Sequence, residues 1–196
     1  MYKTWKKVAA VSAALLLSSC LGRLPGEGDT HVAAGPGGDA AQTTSEATDD
    51  FTLFIRWGVF GISSYDSVTG RLVKTTDSTD PSAYVTELGF SGNVAESVYD
   101  VIQGINIFAY PDTYDPFNAP GAESIMGSEP NQTIVLKVRT GNREKTVSCP
   151  GIAYGSLDDC WCEEARDFMV AVRQIVSIIT DTPEWQALPE YEFLYE

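Results

Sequence analysis

Apolar side chains recur at every second position in Phe51, Leu53, Ile55 and Trp57, which predicts a strand over Phe51–Trp57 with one face toward a core. The run Tyr65-Asp66-Ser67-Val68-Thr69-Gly70-Arg71-Leu72-Val73 sets turn residues between two extended stretches, and predicts a hairpin closed at Thr69-Gly70. Tyr84 to Phe90 reads as a further strand. The spacing then widens: Val94, Val98, Ile102 and Ile105 share one helical face, with Ser91 or Asn93 as cap and Gly104 near the end. A loop rich in Pro, Gly and acids runs from Tyr110 to Pro130. Alternation resumes through Ile134, Leu136 and Val138 in Gln132 to Arg139, turns at Thr140-Gly141-Asn142-Arg143, and returns as a strand from Glu144 to Cys149. The longest helix is predicted from about Asp159 to Thr180. Ser156 or Asp158 is its cap, Phe168, Val172, Ile175 and Ile179 its buried stripe, and Asp158, Asp159, Glu163 and Glu164 sit at its positive end. Thr182-Pro183-Glu184 restarts a short helix with Pro at its first position, and Glu190 to Tyr195 is predicted to be extended.

This order, β-β-β-α followed by β-β-α, leaves no room for βαβ crossovers. It predicts an α+β domain over 51–196, with a mainly antiparallel sheet built from hairpins and two main helices packed on one face. A chain of 196 residues that is 43% apolar and 11% aromatic is neither a multi-domain assembly, nor a disordered chain, nor a disulfide-rich miniprotein. The net charge of −14 excludes nucleic acid as a partner, because a phosphate backbone requires a local excess of Lys and Arg. Lys137, Arg139, Arg143 and Lys145 fall on one hairpin and are read as its wet face.

The beginning of the chain has a different logic. Lys3, Lys6 and Lys7 precede ten mostly apolar residues, Val8 to Leu17. A helix needs about 20 residues to span a bilayer, so this is the pattern of an export signal. Leu17-Ser18-Ser19-Cys20 then resembles the bacterial lipobox. The resemblance implies a signal peptide over 1–19 and a Cys20 that carries palmitate-type acyl chains and anchors the protein to the outer face of a bacterial membrane. Several acyl chains supply the firm attachment that one chain lacks. Residues 20–50 hold the lipidated Cys20 and a Gly- and Ala-rich tether without aromatic residues, with an r.m.s. reach of about 30 Å. The sole histidine, His31, lies in it. The folded part is similar in plan to uncharacterised small lipoproteins of Gram-positive anaerobes, a likeness that implies no activity.

Two constellations could carry chemistry. Cys149, Cys160 and Cys162 fall at a strand end and at the start of the long helix. Outside the cytoplasm a bridge from Cys149 to Cys160 or Cys162 is expected, stapling hairpin to helix; Cys160 with Cys162 fits disulfide geometry poorly. The same thiols, spaced Cys-x10-Cys-x-Cys, are the alternative basis of an extracytoplasmic thiol or metal protein. The second constellation is Tyr110, Asp112, Tyr114 and Asp115: carboxylates beside aromatic faces suit a small carbohydrate-binding or carbohydrate-active protein. Asp77, Asp80, Asp112 and Asp115 lack the ligand rhythm of a calcium loop. No Gly-x-Ser-x-Gly, phosphate-binding Gly loop or His-Glu-x-x-His occurs, so neither an enzyme nor a cofactor is expected. Trp185, Leu188, Phe193 and Tyr195 in the tail are expected to close the core, or else to offer an aromatic patch to a partner. The leading expectation is a membrane-anchored, non-catalytic domain that binds or supports another envelope component, a protein or a polysaccharide.

Overall fold

The alternation of β1 (Phe51–Trp57) is realised as burial: Phe51, Leu53, Ile55 and Trp57 are covered, whereas Thr52, Phe54 and Arg56 are half-covered or exposed. The computed structural model describes residues 50–122, 130–153 and 155–193. These belong to one unit, Asp39–Glu196, of the two into which the chain divides. The lipobox, Cys20, the tether up to residue 49 and His31 lie outside the described residues, as do Leu194 and Tyr195 of the tail.

β2 (Ser63–Asp66) pairs with β1, β3 (Arg71–Val73) with β2, and β4 (Val85–Glu87) with β3, each antiparallel. The hairpin between β2 and β3 closes through Gly70 at φ +70°, a left-handed conformation that suits glycine. Asp66 Oδ1 accepts the Val68 N–H at 2.9 Å within the same turn. After helix α1 (Gly92–Gln103) the chain crosses to the other side of β1, where β5 (Gln132–Thr140) pairs antiparallel with it and β6 (Arg143–Ile152) with β5. The result is a six-stranded antiparallel sheet in the order β4-β3-β2-β1-β5-β6. The α+β fold class is therefore as the periodicities predict. Four strands precede α1, one more than the order β-β-β-α states; the fourth, β4, is a three-residue piece of the stretch Tyr84 to Phe90 that reads as a strand.

Both helices lie on the same face of the sheet. Val98 and Ile102 of α1, and Phe168, Val172, Ile175 and Ile179 of α2 (Glu163–Thr180), share one core with Leu53, Ile55, Leu136 and Val138. Each such fully covered side chain contributes about 1.5–3 kcal/mol of apolar burial. α2 starts later than its acids suggest: Ser156 and Asp159 form a capping box on a separate 3-10 turn, Leu157–Asp159. Cys162 becomes the N-cap of α2 instead, its sulfur accepting the Ala165 N–H at 3.4 Å. α3 (Pro183–Gln186) is capped by Thr182, with Pro at the start. In the tail Trp185 and Leu188 are buried, and Trp185 packs 5.6 Å from Trp57, centroid to centroid. The described part beyond Glu190 forms no strand. It is held by the Tyr84 hydroxyl donating to Glu190 O at 3.0 Å, and by Glu192 accepting from the Thr79 N–H at 2.7 Å.

Candidate functional site

α1 ends at Gly104, and a short 3-10 turn, Ile107–Ala109, buries Ile107 before the chain enters the loop that begins at Tyr110. Edge strand β6 fixes this loop. Tyr114 N–H donates to Ser148 O at 2.9 Å, Ser148 N–H donates to Asp112 O at 2.8 Å, and Thr113 makes a parallel bridge to Ser148. Tyr110, Tyr114 and Phe168 of α2 then form a triangle of rings with centroids 5.3 to 5.5 Å apart. Contacts of this kind contribute about 0.5–1.5 kcal/mol each beyond the area they bury. The Tyr110 hydroxyl donates to Glu164 O at 2.8 Å, and Trp161 N–H donates to Pro116 O at 3.2 Å, so loop and helix start are tied twice more.

Between them lies a cleft of about 610 Å³. The end of α1 and the loop form one wall with Asn106, Tyr110, Tyr114 and Pro120; the start of α2 forms the other with Trp161, Cys162, Glu164 and Asp167. Trp161 remains 41% exposed, unusual for so large a ring. Burial first, then the charges of Asp167 and Glu164, push the Tyr110 phenol up to about 12. Burial likewise raises Tyr114, with further upward contributions from its neighbour Cys162. Glu164 is held below the usual carboxylate range, by its own backbone N–H and by Cys162. The cleft thus combines aromatic walls with negative charge.

The four loop residues singled out in the sequence part company here. Tyr110 and Tyr114 line the cleft. Asp112 instead pairs with Lys145 at 2.6 Å. Asp115 is spent on its own turn, accepting from Phe117 N–H at 2.9 Å, Asn118 N–H at 3.2 Å and Asn118 Nδ2 at 2.8 Å. Their place is taken by Glu164, which the sequence marks only as a complement to the helix dipole, and by Asp167 and Trp161, which it does not mark. One signal was present: Glu164 and Asp167 are three apart, hence neighbours on one helix face, and Trp161 stands just before the helix.

Cys149, Cys160 and Cys162 are free thiols, and Cys160 and Cys162 both line a cavity at the start of α2. Cys149 is buried in β6 opposite Ile134, and burial, with the nearby Asp115 charge, pushes its thiol up to about 12. Burial raises Cys160 too, against the opposing pull of Arg173 and Arg166. The bridge expected from Cys149 is not formed, and Cys162 caps α2. Among the described residues no group of three or more His, Cys, Asp or Glu side chains is placed to hold a metal ion. The basic residues of the β5–β6 hairpin have local partners: Lys137 pairs with Glu144 at 3.1 Å, Arg139 donates to Gly141 O at 3.3 Å, and Arg143 lies 3.8 Å from the Phe108 ring centroid.

A second cavity, about 420 Å³, lies against Trp57, Ile134, Met169 and Val172, and is flanked by Tyr191 and Phe193. It is predominantly apolar, and Arg173, its one charged lining residue among the described residues, donates to Gly155 O at 3.0 Å. The chain matches no family model and no curated protein.

Proposed function

We propose that this protein is an extracytoplasmic lipoprotein, held through Cys20 on the outer face of a bacterial membrane, whose folded domain captures a ligand in the Tyr110–Trp161 cleft without transforming it. The observation that carries the binding reading is the half-exposed Trp161 beside a concave surface built from two distant segments, 104–120 and 161–167. A large ring left open to solvent in a fixed cleft is what a binding site needs. The reading without catalysis rests on the acids. Glu164 and Asp167 stand on the same wall, whereas glycoside hydrolysis needs carboxyl groups on opposite sides of the bond. Glu164 is also shifted down, the wrong direction for a general acid, and the described residues contain no histidine. The anchor rests on the lipobox and its order after Lys3, Lys6, Lys7 and the apolar run.

Two measurements test this. Cells making the full chain are fed a palmitate analogue and fractionated: label and membrane attachment are expected for the full chain and lost in Cys20→Ala. Label retained by that variant overturns the anchor. The full chain in detergent is then screened by saturation-transfer NMR against amines, neutral sugars and dicarboxylates. At least one class is expected to lose its signal in Trp161→Ala; no such class at millimolar concentration overturns the cleft as a binding site.

A further inference from the structure

The cleft has a chemical bias that narrows its ligand. Among the described residues its charged lining groups are both carboxylates, Glu164 and Asp167, and no Lys or Arg lines it. Neither carboxylate takes part in a salt bridge among the described residues: Arg166, which lies between them in sequence, turns to Asp158 at 3.5 Å, and Lys145 serves Asp112. Ionised carboxylates are acceptors only, and the Tyr110 hydroxyl already donates its hydrogen bond to Glu164 O. A neutral sugar could donate its hydroxyls to these carboxylates and accept from Asn106 and the Trp161 indole N–H, but it would gain nothing from their negative charge, which a cation would. The positive end of α2 opposes a cation, but its half charge is outweighed by Glu163, Glu164 and Asp167 within its first turns. The Tyr110 phenol is raised mainly by burial, and the charges of Asp167 and Glu164 add to the rise. Trp161 completes the arrangement, since indole is the aromatic face that attracts a cation best.

From this charge complementarity we propose that the cleft binds a small organic cation, an ammonium group on a short apolar stem, with the stem against Trp161 and Tyr110 and the ammonium toward Glu164 and Asp167. The assignment rests on the cleft being the binding site, and goes beyond it in naming the ligand class. The protein already uses this chemistry once, where the Lys74 ammonium lies 5.6 Å from the Trp185 ring centroid and 5.2 Å from that of Tyr191.

The test is a calorimetric and tryptophan-fluorescence titration of the full chain in detergent with four probes: pentane-1,5-diamine, pentane-1,5-diol, glutarate and a neutral disaccharide. The diamine is expected to bind at least about tenfold more tightly than the other three, and to weaken by about the same factor in 0.5 M salt. Glu164→Gln and Asp167→Asn should each weaken it several-fold, with Trp161→Phe retaining more affinity than Trp161→Ala. Both acids are exposed, so unchanged melting of the variants certifies their fold. Binding of the diol or disaccharide that depends on Trp161 but not on the acids overturns the cation while leaving the cleft a binding site. Binding of none of the four overturns the cation; the separate Trp161→Ala screen then decides whether the cleft itself stands. A fifth titration uses a blocked lysine, Nα-acetyl-lysine N-methylamide: tighter binding of it than of the diamine overturns the free small molecule as the source of the ammonium.

Discussion

The ammonium of Lys74 lies over the ring of Trp185, 5.6 Å from its centroid, although the two residues are more than a hundred positions apart. Lys74 is only 6% exposed, and no carboxylate pairs with it among the described residues. Its charge is met by Trp185, by Tyr191 and by Leu188 O at 3.5 Å. The contact joins the residue after β3 to the short helix and the segment that follows it. Ser63 Oγ holds the other side, donating to Lys74 O at 2.6 Å.

The stem of Lys74 fills space, and its head bears a desolvation cost. Lys74→Met keeps the volume and removes the charge, so a change within about 1 kcal/mol is expected. Lys74→Ala opens a cavity and should cost about 2–3 kcal/mol. Urea unfolding of the two variants checks this; equal losses would show that the charge rather than the packing matters.

Gly70 takes φ +70° in the β2–β3 turn, and a methyl group there would sit 3.3 Å from Leu88 O, which is itself fixed by the Tyr65 hydroxyl. Gly70→Ala should cost about 1–2 kcal/mol, and Gly70→Asn less, because Asn tolerates the left-handed region. Denaturant midpoints of both variants test the ranking.

Alkaline pH should unfold the domain. The Cys149 thiol and the Tyr110 phenol stand at about 12 in the folded state, against ordinary values of 9.0 and 10.0, and burial is the main cause of both shifts. The folded form holds these protons more tightly than the unfolded form. Their stabilising contribution is therefore complete below about pH 9 and is lost as pH rises through 12. Melting temperatures measured from pH 7 to 11, together with tyrosinate absorbance, should show ionisation and unfolding together; a flat melting curve to pH 11 contradicts it.

The thiols should react in order of access. Alkylation of the native protein is expected to reach Cys160 and Cys162 first, and Cys149 only after denaturation. Peptide mapping reads the sites. Recovery of a peptide pair joined through Cys149 from protein exported to an oxidising compartment would show that the expected bridge closes there.

Strands and helices were legible because burial on one face imposes a period: the alternation of Phe51, Leu53, Ile55 and Trp57 and the stripe of Phe168, Val172, Ile175 and Ile179 admit few other readings. The start of α2 was less legible. Ser156 and Asp159 carry a true capping signature, but it caps a separate 3-10 turn, and a sulfur at Cys162 does the later work. The candidate site was legible only in pieces. Tyr110, Tyr114 and Cys162 could be singled out one by one, yet nothing in their spacing says that they face one cleft.

By itself, the order of residues determined the periodicities, the turns at Gly70 and Gly141, the acidic balance and the lipobox pattern, since each depends on neighbours a few positions apart. Tertiary structure alone decided that Asp112 would answer Lys145 and Asp115 its own turn, while Glu164 and Asp167 would face the aromatic cleft. Carboxylates are chemically alike, and which of them meets a cation, a backbone N–H or open space depends on segments some fifty residues apart. Those segments are brought together by burial of the Tyr110, Tyr114 and Phe168 rings rather than by any local preference.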